Sequence, residues 1–280
     1  MSNAEALLRQ ALELGDEGRW EEMALLLAGA LEADPEDPYL LCWLGVAERE
    51  LGNDGAAYDR FRQTVAENPS DPHLLAIAGA GLAAFDDEDA EPALRAAALT
   101  GPDLVITRLH YGGYLARAGL FVEALEHLRA AVALAPDDPV VHGELGTALA
   151  LQGDMRGAEH AMEEALALAP DDSWTQALLG LVRVELGDAE NGATDLLAAA
   201  QERADDGEIQ LLAALAAAGA GWEDAAQDVV ARAAYAVEGA DVALMEQVEA
   251  RLAEGPEAAA RFLRQTAGPS ALRDRLSQPL

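Results

Sequence analysis

A spacing of 34 residues runs through almost the whole chain, and no other feature of the sequence limits its fold as much. Gly45, Gly79, Gly112, Gly146 and Gly180 are separated by 34, 33, 34 and 34 residues, and Pro35, Pro69, Pro102, Pro136 and Pro170 keep the same steps. A third column, Met23, Ala57, Ala90, Ala124, Ala158, Gly192, Ala226 and Ala260, is small except at Met23 and has a single step of 33 among steps of 34. A unit this short cannot bury its own apolar face, so copies must stack and share a core. Each period holds an apolar stretch of about fourteen residues, a Gly-Asp or Gly-Asn break, a second apolar stretch, and then proline with acidic residues; that plan reads as a helical hairpin. In the clearest copy, residues 139–172, Asp138 before Pro139 suits an N-cap followed by proline in the first turn. Gly153-Asp154 ends one helix and starts the next, and Pro170 closes the second. Leu145, Leu149, Ala158, Met162, Ala165 and Leu166 fall on the facing sides, with Gly146 and Ala158 leaving room for close approach.

Charge narrows the function. The 280 residues include 51 acids and 18 basic residues, all of them arginine, for a net charge of −33. Phosphate binding needs clustered cations, so duplex nucleic acid is excluded as a partner class. With 51% apolar residues the chain can still build a core. Its most apolar runs, such as Leu211 to Ala220, are too short and alanine-rich to span a bilayer, and Met1 to Leu14 lacks a basic region followed by an apolar run. No membrane insertion and a cytoplasmic location are expected. The single Cys42 agrees with a reducing compartment.

The matching positions Leu145-Gly146, Gly153-Asp154, Ala158, Ala165-Leu166 and Pro170, repeated in register in five copies from Pro38 to Asp206, resemble the tetratricopeptide repeat family. The resemblance implies an all-α fold, a right-handed superhelical α-solenoid of about eight helical hairpins with a C-terminal capping helix, making one repeat domain over 1–280. Repeats are expected at 4–37, 38–71, 72–104, 105–138, 139–172 and 173–206. Degenerate copies follow at 207–240 and 241–268, where Ala213-Ala214 and Gln247-Val248 replace the Leu-Gly pair and Glu238 stands in the proline column. Residues 269–280 are expected to cap the stack, with Ser270 as N-cap, Leu272 and Leu276 covering Phe262 and Leu263, and Arg273 and Arg275 near solvent.

Signals that mimic chemistry fail on context. Gly79-Ala80-Gly81-Leu82-Ala83-Ala84 imitates a dinucleotide-binding turn but lies in the mid-helix glycine column with no strand before it. Asp86-Asp87-Glu88-Asp89 lacks the alternation and glycine of a calcium loop and reads as a charged inter-helix turn, with the next helix starting around Asp89 because Pro92 is tolerated only near a helix start. His73, His110, His127, His142 and His160 form no metal-ligand pair on one helical face, and no serine or cysteine stands in a nucleophile context. No cofactor, metal or catalytic residue is expected, and the chain reads as a non-enzyme.

The resemblance further implies that the first helix of each hairpin lines a groove through its second, fifth, sixth, ninth, twelfth and thirteenth positions. The groove residues expected here are Tyr39, Trp43, Val46 and Arg49, then His73 and Ile77, then Ile106, Leu109, His110 and Arg117, then Glu144, and finally Trp174, Leu178 and Leu181. Family members that clamp the acidic tails of heat-shock chaperones use lysine and asparagine at such positions. Leu8, Cys42, Ala76, Leu109, Gly143, Ala177 and Leu211 fill the fifth-position column here, which disfavours that partner. A mostly apolar groove in an acidic surround suits a protein or peptide partner, helical or apolar, with basic flanks. The function expected is an interaction scaffold or adaptor, the alternative a peptide-holding chaperone or assembly factor. Residues 241–280 carry six acids and five arginines against 45 and 13 before them, so an amphipathic, arginine-bearing C-terminal helix is also expected to be able to enter the groove of another copy and cause self-association.

Overall fold

The computed structural model describes residues 3–237 and 241–277, with side chains described from residue 6 onward and not at 274, 276 and 277. Among these residues there are helices and turns but no strand. The fold is an all-α stack of helical hairpins, an α-solenoid, divided into two compact units, one built on Met1–Ala118 and the other on Gly119–Leu276.

The first unit contains α1 (Asn3–Asp16) and α2 (Trp20–Leu31), α3 (Pro38–Glu50) and α4 (Asp54–Ala66), α5 (Pro72–Ala83) and α6 (Ala90–Thr100), and α7 (Val105–Arg117). The aspartates before the first helices act as sequence patterning requires: Asp37 accepts the Tyr39 and Leu40 backbone N–H groups, and Asp71 accepts that of His73, satisfying donors the helix cannot satisfy itself. Phe61 of α4 is fully buried and is gripped by Gly45 of α3 and Gly81 of α5, where a Cβ would have no room. The acidic run Asp86 to Asp89 is an inter-helix turn. It has no glycine, so Asp86 itself takes the left-handed conformation with φ 52°. Asp87 accepts the Tyr58 hydroxyl at 2.7 Å and the Asp89 N–H at 2.8 Å, which leaves α6 starting at Ala90.

The second unit contains α8 (Phe121–Leu134), α9 (Pro139–Gln152) and α10 (Met155–Leu168), α11 (Ser173–Glu185) and α12 (Ala189–Glu202), α13 (Gly207–Gly219) and α14 (Glu223–Ala236), then α15 (Asp241–Glu254), α16 (Pro256–Phe262), a π turn (Leu263–Ala267) and α17 (Gly268–Ser277). Asp138, Asp172 and Asp206 cap α9, α11 and α13 through backbone N–H groups. Gly153 closes α9 with φ 96°, which an L side chain tolerates poorly, and Asp154 then caps α10. At Gly180 a Cβ would stand 2.8 Å from the Gly192 carbonyl oxygen, so here the small columns permit backbone to meet backbone between α11 and α12. Arg183 ties three helices together on the other side, reaching Glu159, Glu163 and Asp195 at 3.5, 2.8 and 2.7 Å.

The C-terminal segment departs from the expected cap. Ser270 is the third residue of α17 rather than its N-cap, because α16 runs into α17 without a break in the backbone. Pro269 has no N–H, and in a regular α-helix its ring would strike the carbonyl four residues earlier. The chain widens by one residue instead, and the Gly268 N–H bonds to the Leu263 carbonyl across the π turn. Leu263 is buried and Phe262 half-buried, but Arg275 turns inward rather than staying near solvent. The Leu276 side chain and Glu238 lie outside what the structure describes.

Candidate binding faces

In the first unit α3, α5 and α7 pack side by side. Their expected groove residues separate into two groups. Val46, Ile77 and Leu109 are buried at 9%, 8% and 7% exposure and belong to the core. Tyr39, Trp43, Arg49, His73, Ile106 and His110 keep part of their surface open. Tyr39 donates its hydroxyl to Asp71 at 2.8 Å, and that bond raises its pKa. Trp43 packs against the core on either side of α3, with its indole 6.4 Å from the His73 ring. Burial, then the nearby Arg49 and His73, push the His110 imidazole down to about 4, so it is neutral at pH 7. Arg117 serves the scaffold: it donates to the Ala83 carbonyl at the end of α5 and covers the Tyr114 ring.

In the second unit the corresponding face is covered. The segment α16, π turn and α17 crosses α13, then α11, then α9. Gly219 of α13 lets α16 come close, since a Cβ there would sit 3.0 Å from the Ala260 methyl. Ile209 through Ala218 are buried without interruption, including Leu211 of the fifth-position column and its neighbours Leu212 and Leu215. Leu178 and Leu181 are sealed at 2% and 3% exposure, and a Cβ at Gly268 would touch Leu181. Glu144 of α9 is 5% exposed and faces Arg275, whose Nη1 lies 3.6 Å from its Oε1. Burial raises the Glu144 pKa and the arginine opposes that rise. Glu185 is likewise raised by burial, with Arg264 opposing. Trp174 remains half-buried under the Arg203 guanidinium, 5.5 Å from the ring centroid. Between α17 and the ends of α9 and α11 lies a cleft of about 330 Å³ lined by Ala150, Leu151, Leu181, Val184, Leu263 and Leu272.

Sequence reasoning did not foresee that Leu263, Leu272, Arg264 and Arg275 complete this face. The apolar run Leu211 to Ala218 of α13 was the available signal: a helical stretch apolar on all sides needs cover on all sides. Among the described residues no cluster of three or more His, Cys, Asp or Glu is arranged to hold a metal ion. No described helix is long and apolar enough to cross a membrane. Cys42 is buried against the Leu74 carbonyl, and burial pushes its thiol up to about 12, so it is a packing residue rather than a nucleophile.

A family model, the tetratricopeptide repeat, matches residues 115–182. Solved structures with the same fold include a tetratricopeptide repeat protein of Thermus thermophilus, 25% identical, with 69% of this chain and 98% of that one aligned at a TM-score of 0.51. PilW, a type IV pilus biogenesis factor, is 19% identical over 72% of this chain and 94% of its own at 0.61. The human IFIT1 dimer with m7Gppp-AAAA is 16% identical over 99% and 72% at 0.75. No curated protein sequence matches the chain.

Proposed function

Because the chain belongs to the tetratricopeptide repeat family, we propose that it is a non-enzymatic, cytoplasmic interaction scaffold that takes a protein segment on the first-helix face of its first unit. The observation that carries this reading is the set of ring side chains left partly open there. Tyr39, Trp43, His73 and His110 are large, stiff and half-polar, and their open edges are poorly spent on solvent. The open rings stand on a face whose buried positions are apolar, in a chain with net charge −33, so the segment it takes is apolar or helical with basic flanks. Basic flanks also suit the Glu144 and Glu185 surround of the second unit. The alternative, a peptide-holding chaperone or assembly factor, draws on that second unit, where an apolar helix is shielded within the chain.

Affinity capture from native extract, with mass spectrometry and stoichiometry, tests the scaffold reading against a Tyr39→Ala/His73→Ala chain. One partner held at fixed ratio by the wild type and lost at least about tenfold by the variant, with unchanged melting, supports it. Equal capture by both chains overturns the assigned face. Many unfolded clients at no fixed ratio would favour the chaperone reading.

A further inference from the structure

We propose that α17 is an internal ligand of the second unit, and that the external partner of the face it covers is an amphipathic helix presenting a bulky apolar residue where Gly268 stands and an arginine two turns later, placed to reach Glu144. The inference rests on the reading that first-helix faces of this chain receive protein segments, but it concerns a different face from the one assigned above.

Three features of α17 mark it as a replaceable occupant rather than part of the hairpin stack. The first is its fit. Ala271 and Leu272 are buried at 1% and 5% exposure, yet the segment leaves the 330 Å³ cleft beside Gly268, Pro269 and Leu272 unfilled. An open-sided cleft of this kind leaves apolar lining in water that a larger side chain would cover. The second is its attachment. Pro269 prevents a regular helix from running through, and the π turn Leu263–Ala267 gives α17 a joint of its own while α16 stays packed on α13. The third is charge. Glu144 is a carboxylate held at 5% exposure, and its basic partner, Arg275, comes from α17 at 3.6 Å, longer than a tight charge-assisted hydrogen bond. A buried acid that depends on an arginine at the far end of a jointed helix is built to meet a cation carried in by a helix.

The test uses the full chain and a fluorescent 15-residue probe copying residues 263–277 with Gly268→Leu and Pro269→Ala, which removes the π turn and fills the cleft. Hydrogen exchange reads α17 and the rest of the second unit separately. The probe is expected to bind the wild type with loss of α17 protection. It should bind a Leu272→Asp chain, whose own α17 is released, at least about tenfold tighter because the intramolecular competitor is gone. Adding Glu144→Gln should weaken the probe about tenfold by removing the buried charge match. An Arg275→Glu chain provides a second route to release if Leu272→Asp unfolds. No probe binding to either released chain while α9 to α14 stay protected would overturn the proposal, since the face would then be empty and not a receptor. Loss of protection throughout α9 to α14 in both variants would also overturn it, because α17 would then be core. Failure of the Tyr39 and His73 face leaves these outcomes untouched, so the two readings fail separately.

Discussion

The two units share one repeated plan and end with different surfaces. In the first, the first-helix face keeps Tyr39, Trp43, His73 and His110 partly open, and the core beneath is filled by large side chains, Phe61, Met23, Leu41 and Leu74 among them. In the second, the face carries Leu211, Leu212, Leu215 and a buried Glu144, and the chain's own C-terminal segment covers them. The repeat specifies how hairpins form and stack; the side chains at the few outward positions of the first helices decide whether their face stays open. Rings with polar edges can remain half in water, whereas leucines in a row and a carboxylate between helices need a neighbour.

The largest way to break this contrast is at the core. Phe61→Ala removes the ring that fills the space between Gly45 and Gly81. We expect a loss of about 3 to 5 kcal/mol in the local stability of α3 to α6 by hydrogen exchange. Leu196→Ala, a fully buried side chain of α12, should cost about 2 to 5 kcal/mol in its own unit. A Phe61→Ala loss well below the leucine value would show that the first unit does not hang on the Phe61 ring.

Acid should separate the units by sign. In the first, His110 is pushed down to about 4 from 6.5, so the unfolded chain binds the proton more readily. Stability from the neutral ring is complete above about 6.5 and is lost as pH falls toward about 4. Asp87, lowered chiefly by the Tyr58 hydroxyl, adds a loss below its ordinary range. In the second unit burial raises Glu144, Glu185, Asp195 and Asp241, so the folded state takes up protons first and acidification relieves the cost of their buried charge. Asp188 runs the other way, lowered chiefly by Asn191. Hydrogen exchange between pH 7 and 4.5 should therefore show the first unit weakening and the second holding or gaining. His110→Gln should flatten the slope of the first unit. Parallel slopes in the two units would erase the contrast.

How much of this was legible depends on which residues carried it. The glycine and proline columns and the aspartates before the first helices set the hairpins, because capping and close approach are local demands that leave local traces. The split of groove positions into sealed Val46, Ile77 and Leu109 and open Tyr39, Trp43 and His73 was not legible, since a position number in a repeat says which way a side chain starts and not how deeply its neighbours bury it. The path of α17 was half legible. A tail with five arginines beside a strongly acidic body, together with the apolar run Leu211 to Ala218, signalled a match between tail and body. The sequence could not tell a groove in the same chain from one in another, because that choice depends on the reach allowed by the π turn and Gly255, whose φ is 111°.

The smallest expected effect concerns Trp43 and Trp174, the two tryptophans expected in the groove from sequence. Trp43 lies against the core of its unit and beside His73, whereas Trp174 lies under Arg203, which also pairs with Asp206, the cap of α13, at 3.2 Å. Arg203→Met keeps the aliphatic stem over the indole and removes the cation. At this partly exposed site the cation contributes about 0.5 to 1 kcal/mol through the ring, and the Asp206 pair adds little in water. We expect a loss of that size in the second unit, with a shifted emission from a chain in which Trp174 is the remaining tryptophan. A null result in both would mean that packing alone holds Trp174. Its ring would then be as available to a partner as that of Trp43, and the two faces would differ only in the helix that covers one of them.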